Sequence, residues 1–135
     1  NLQAALGLAQ LEQLEDFISI KKRNYKRYKE LFAGVNGLRL LPFRDSIRSN
    51  LWFYSLYVDG FVLDRDKLIQ YLAKNKIQSR PIWGLIHEQK PYLGSRSYKI
   101  TKAYEYWRHV VNIPCSTNLS LEDVERVAEC IKNAE

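Results

Sequence analysis

Between Leu51 and Val58 the chain alternates with apolar residues on both sides. Leu51, Phe53, Ser55 and Tyr57 fall on one face of an extended segment, and Trp52, Tyr54, Leu56 and Val58 on the other. Strand side chains point alternately to opposite faces, so a strand apolar on both must be covered on both. The stretch from Ser49 to Asp59 is therefore expected at the centre of a sheet, with Trp52 and Tyr54 packed in the core. The same two rings could form a stacking platform for bases, but the glycine-and-aromatic pattern of sheet-based RNA binders is missing. Three shorter stretches can flank this strand. Gly37 to Phe43 is entered from the Val35-Asn36-Gly37 turn and ended by Pro42, Ile77 to Ile82 contains the strand-stopping Pro81, and Val111 to Ile113 is stopped by Pro114.

Helices fill the remainder. Leu2 to about Ala33 reads as one helix, broken or bent at most once and ended by Gly34, because Ala4, Leu11, Ile18, Tyr25 and Phe32 recur every seven residues, with Leu14 and Tyr28 on the adjoining line. Leu2, Ala5, Leu6, Leu8 and Ala9 cover more than one stripe, so that end is expected to pack against something larger. Asp64 caps a helix from Arg65 to about Asn75 that buries Leu68, Ile69 and Leu72. Thr101 to Val110 buries Ala103, Tyr104 and Trp107, and Ser120 with Asp123 caps a last helix, to about Asn133, that buries Leu121, Val124, Ala128 and Ile131. This order predicts an α+β fold: a long N-terminal helix, then a small mixed, largely antiparallel sheet with helices on one face, in one domain over residues 1–135.

A net charge of +6 raises nucleic acid as a partner, and Lys21, Lys22, Arg23, Lys26, Arg27 and Lys29, interleaved with Tyr25 and Tyr28, are where it would bind. On the first helix these cations point away from the apolar seam, as a solvated face that needs no partner. Cys115 and Cys130 have no His or Cys near them at metal-ligand spacing, so no metal site is expected and a reducing cytoplasm is the default setting. Cys130 reads as a small buried hydrophobe. No apolar run approaches the roughly 20 residues that cross a membrane. The chain holds no methionine, and it is expected to be a piece of a longer protein.

Residue types that grip ligands gather in one place. Arg80 is a fixed fork of donors at a strand end, Trp83 a flat face with one N–H, His87 a group poised near neutral pH, and Tyr92 a hydroxyl. The same residues also describe a surface ion pair, a core plug and a satisfied loop histidine. No glycine-rich phosphate loop, Ser-His-Asp set or isolated carboxylate pair accompanies them.

Arg80-Pro81-Ile82-Trp83 and His87-Glu88-Gln89-Lys90-Pro91-Tyr92, together with Asn1-Leu2-Gln3-Ala4-Ala5-Leu6-Gly7-Leu8-Ala9-Gln10-Leu11, resemble the C-terminal portion of the DegT/DnrJ/StrS family. These are pyridoxal-phosphate-dependent aminotransferases of fold type I that act on nucleotide-linked keto sugars. The resemblance implies a small C-terminal domain preceded by a large cofactor-binding domain, in a cytoplasmic homodimer that takes its amino group from an amino acid, glutamate. It places the cofactor lysine and the other cofactor contacts in that large domain, so no catalytic or cofactor-binding residue is expected in this chain. It implies substrate contact for His87 first, Arg80 second, and Tyr92 and Trp83 third. A basic nucleic-acid-binding domain and a structural or dimerisation domain without a ligand remain as alternatives.

Overall fold

The computed structural model describes residues 1–134. Helices α1 (Leu2–Glu12) and α2 (Leu14–Leu31) share one course, interrupted once, at Gln13. Helix α1 buries nothing, and Leu2, Leu6, Leu8 and Leu11 stand in the open. The seven-residue seam is covered only from Ile18 onward, through half-buried Tyr25 to Phe32.

Strands β1 (Leu38–Leu40), β2 (Tyr54–Val58), β3 (Arg80–Pro81) and β4 (Val110–Ile113) form one sheet in the order β1-β2-β4-β3. The sheet, expected to be largely antiparallel, is antiparallel in all three pairings. Strand β2 is central, as its two apolar faces require. Tyr54, Leu56 and Val58 point into the main core, where they meet Tyr28 of α2 and Phe32 just past its end, Leu68 and Leu72 of α3 (Arg65–Lys74), and Val124, Val127 and Ile131 of α5 (Leu121–Lys132).

Tyr57 points the other way and meets α4 (Lys102–His109). Its hydroxyl donates to Glu105 Oε1 at 3.0 Å, and its ring packs on Tyr106 and His109. Arg65 Nη1 donates to the Trp107 carbonyl at 2.7 Å, which ties α4 back to α3. Three helices thus cover one face of the sheet and α4 flanks the other.

Several expectations need correction. Trp52 is 63% exposed, because pairing of β2 begins only at Tyr54 and Leu51, at φ +53, turns the chain so that its own side chain goes in and the indole out. The strand expected over Ile77 to Ile82 is reduced to Arg80–Pro81: Lys76 sits at φ +59, and the Ile77 N–H bonds back to the Leu72 carbonyl, which drops Ile77 into the core before pairing starts. On α4, Ala103 is exposed while Tyr104 and Trp107 are half-buried, and on α5 Val127 replaces Leu121 on the buried stripe. Cys130 is half-buried against the core.

The helix caps follow the local signals. Asp64 accepts from the Lys67 N–H at 2.8 Å, and Ser120 with Asp123 makes a full capping box on α5. Bonds to Ser120 hold the Asp123 carboxyl below its ordinary value, and the Lys67 N–H does the same for Asp64. A depressed folded-state value gives stability that is present above the unfolded value near 4 and lost as pH falls through the lower folded one. Thermal unfolding should therefore separate wild type from Asp123→Ala at pH 6, and the gap should close in acid.

Candidate functional site

The two registers line up a polar row across the face that α4 flanks. Arg80 of β3 opposes Asn112 of β4, and Asn112 opposes Ser55 of β2. Residues directly opposite in an antiparallel pair share a face, and here it is the face away from the main core. Ser55 Oγ donates to Asn112 Oδ1 at 2.8 Å. Arg80 is exposed and has no ion pair or side-chain hydrogen bond among the described residues. The next row carries Arg39, whose guanidinium lies 4.9 Å from the Tyr57 ring centre.

Arg80, Asn112 and Phe53 border a cavity of about 440 Å³ at the open end of the sheet, which continues past Ser79 and Cys115 to Arg126 of α5. Ser79 Oγ is buried there with no hydrogen-bond partner. Phe53 meets Trp83 at 5.2 Å between ring centres, and Trp52 meets both rings, so three aromatic groups stand beside the Arg80 end. Trp83 is 69% exposed, which excludes the core-plug reading.

This aromatic group is held by a residue that sequence reasoning assigned to solvent. Lys21 Nζ donates to the carbonyls of Leu51 at 3.2 Å, Trp52 at 3.1 Å and Cys115 at 2.7 Å. It turns inward from α2, which corrects the expectation that the whole basic run points away. The tyrosines interleaved with that run face inward too: Tyr28 is fully buried, and Tyr25 donates to the Leu41 carbonyl at 2.8 Å. Neither is open to stack on a base. Lys22, Lys29, Arg44 and Arg48 border a separate groove, in which Arg48 is paired with Glu15.

His87 lies in a short 3₁₀ turn (Ile86–Glu88) on the connection from β3 to α4. Its Nε2 is 2.9 Å from the Tyr104 hydroxyl, which is 2.7 Å from Glu88 Oε1. A phenol has one proton; given to the carboxylate, it leaves only lone pairs for the imidazole. His87 Nε2 must therefore carry hydrogen, and Nδ1 is the acceptor that a neutral ring offers outward. The bond to Glu88 also pushes the Tyr104 hydroxyl above its ordinary value, with burial adding to it. Tyr92 closes a second 3₁₀ turn (Lys90–Tyr92) and is half exposed.

The four predicted residues are thus divided. Arg80 and Trp83 stand together at the sheet edge through Phe53, His87 is tethered to α4, and Tyr92 has no hydrogen bond or ring contact to the other three among the described residues. Sequence reasoning missed Lys21, Ser55, Asn112 and Tyr104 as parts of this arrangement. A signal existed for one of them: Asn112 is the polar residue inside an otherwise apolar strand, which marks a face away from the core. No group of three or more His, Cys, Asp or Glu among the described residues could hold a metal ion, and no helix among them is long and apolar enough to cross a membrane.

Comparison with known proteins adds a family. The model of the DegT/DnrJ/EryC1/StrS aminotransferase family matches residues 1–132. The chain is 30% identical over 142 residues to the GDP-perosamine synthase of Vibrio cholerae, covering 98% of this chain and 36% of that protein. It is 30% identical over 135 residues to the dTDP-4-amino-4,6-dideoxy-D-glucose transaminase of Escherichia coli, covering 96% and 36% respectively. The crystal structure of the sugar aminotransferase CalS13 from Micromonospora echinospora superposes with a TM-score of 0.85 over 97% of this chain and 34% of that one, at 23% identity, a likeness of fold. The chain spans about a third of the length of the curated relatives it matches.

Proposed function

The chain belongs to the DegT/DnrJ/EryC1/StrS aminotransferase family, and on that premise we propose that it forms the substrate-cleft domain of an enzyme that transfers an amino group from an amino acid, glutamate, to a nucleotide-linked keto sugar. The names of two relatives denote nucleotide-linked amino sugars, which supports that substrate class. In this reading Arg80 grips an anionic group, Trp83 lays its face against the substrate, and His87 and Tyr92 meet its hydroxyls. The whole enzyme is a cytoplasmic homodimer, and the open leucines of α1 pack against its larger body.

The observation that supports this most is a histidine whose tautomer is already set, His87, while Arg80, apart from it on the sheet edge, is left uncommitted. With Nε2–H spent on Tyr104, His87 offers a sugar hydroxyl an acceptor at Nδ1, where a freely turning histidine would have to be ordered on binding.

Pyridoxal phosphate supplies the electron sink for amino transfer when bound, through a lysine and a carboxylate at its ring nitrogen. The residues bordering the sheet-edge cavity do not suit that group. The lysine bordering the sheet-edge cavity is Lys76 and the carboxylate there is Asp123, which is engaged with Ser120. The cofactor is therefore assigned to parts of the enzyme beyond these residues, and the role of this chain is to bind and orient the substrate.

The test is His87→Ala in the full-length enzyme, with the two half reactions measured separately. Loss of one substrate hydrogen bond should lower catalytic efficiency with the nucleotide-sugar by about threefold to a hundredfold, and leave the amino-donor half nearly unchanged. Equal loss in both halves would make His87 a support of the cofactor or the fold. An unchanged sugar half would return it to a satisfied loop histidine.

A further inference from the structure

Arg80, Asn112 and Ser55 stand side by side across three neighbouring strands, and the one hydrogen bond within that row sets the direction of the Asn112 amide. Ser55 Oγ–H points at Asn112 Oδ1. An amide has one acceptor end and one donor end, so an asparagine whose oxygen is engaged toward β2 turns its NH₂ toward the other neighbour, β3, where Arg80 sits. Neither the Asn112 NH₂ nor the Arg80 guanidinium has a hydrogen-bond partner among the described residues. Both groups can only donate. Adjacent donors on a half-buried sheet face, with no acceptor supplied by the chain, are satisfied together by an oxyanion.

We propose that Asn112, held by Ser55, is the second arm of an anion grip whose first arm is Arg80, and that the grip takes a carboxylate or phosphate oxygen. The inference rests on the reading of Arg80 as an anion contact and adds two residues to it. Asn112 touches the ligand. Ser55 is a positioning residue that acts through the Asn112 amide and does not itself reach the anion.

Two ligands of the proposed reaction carry this chemistry, the amino-acid donor through its carboxylates and the nucleotide-sugar through its diphosphate. Glutarate and inorganic pyrophosphate separate them as probes, titrated calorimetrically into the full-length protein. One of the two should bind through Arg80. Its Kd should rise about tenfold to a hundredfold in Arg80→Ala and by a comparable factor in Asn112→Ala, as expected for hydrogen bonds to a charged group. Asn112→Asp, close in shape, puts a carboxylate beside Arg80 and should abolish binding of that probe; it decides the matter where Asn112→Ala lowers the melting temperature. Ser55→Ala should weaken binding a few-fold, and add nothing in an Asn112→Ala background.

Weakening by Arg80→Ala with no response to either Asn112 variant overturns the inference and leaves Arg80 as a lone contact. No response of either probe to Arg80→Ala removes both the inference and the reading beneath it. A Ser55→Ala loss that persists without the Asn112 amide shows that Ser55 does not act through it.

Discussion

Gly37→Ala should destabilise the fold by about 3–5 kcal/mol, the range reserved for changes that the backbone cannot absorb. Gly37 sits at φ +78, where a Cβ alone costs about 1–2 kcal/mol. An added methyl would also lie 2.3 Å from the Phe61 nitrogen and 2.5 Å from the Gly60 carbonyl carbon, both main-chain atoms. No side chain can swing aside there. The turn that enters β1 would have to part from the turn that leaves β2, and the bond from the Asp59 N–H to the Gly37 carbonyl, at 2.9 Å, holds those two together. Urea unfolding of the variant reads the loss directly. Gly7→Ala is the matching control: Gly7 lies in α1 with open space around it, so alanine should raise stability by up to about 1 kcal/mol. A Gly37→Ala midpoint within error of wild type would mean that the two turns separate freely.

Lys21→Met should cost about 2–4 kcal/mol, and on the order of 10 °C in melting temperature for a domain of this size. Methionine keeps the length and apolar stem of lysine and removes the ammonium. The Leu51 and Cys115 carbonyls then lose their side-chain donor, the Trp52 carbonyl keeps only the weak Cys115 thiol, and the Leu51 and Trp52 carbonyls lie directly after the positive-φ bend at Leu51. A leucine in that conformation persists only where its surroundings hold it, so the bend should relax together with the indole it exposes. Lys26→Met, on an exposed position of the same helix, should stay within about 0.5 kcal/mol. If the two variants melt alike, the ammonium contributes nothing that water does not replace.

How much of this was legible depended on the distance over which each signal acts. Asp64, Ser120 and Asp123 cap helices through contacts three residues away, and each was readable. The central place of β2 was readable because both of its faces are apolar. Its start was not, since the alternating pattern continues through Trp52 and Leu51 while the backbone does not, and nothing local announces that Leu51 takes a positive φ. Lys21 was misread for the same reason: its acceptors are 30, 31 and 94 residues away. Arg80 and His87 were found as residue types, but the tautomer of His87 depends on Tyr104, 17 positions on. The row from Ser55 through Asn112 to Arg80 exists only once the strand order is known.

The edge strand β3 has one more consequence, for association. It is two residues long and its second residue is a proline, so the margin of the sheet that carries Arg80 offers an incoming strand almost no ladder to continue. Open sheet edges are templates for cross-chain pairing, and short, proline-bearing, charged edges are how proteins blunt them. The opposite margin, β1, is three residues long and carries Arg39 at its middle. Both margins are therefore poor seeds for fibrillar growth. A crowded solution of this chain should associate through the bare leucines of α1 before it associates through its sheet.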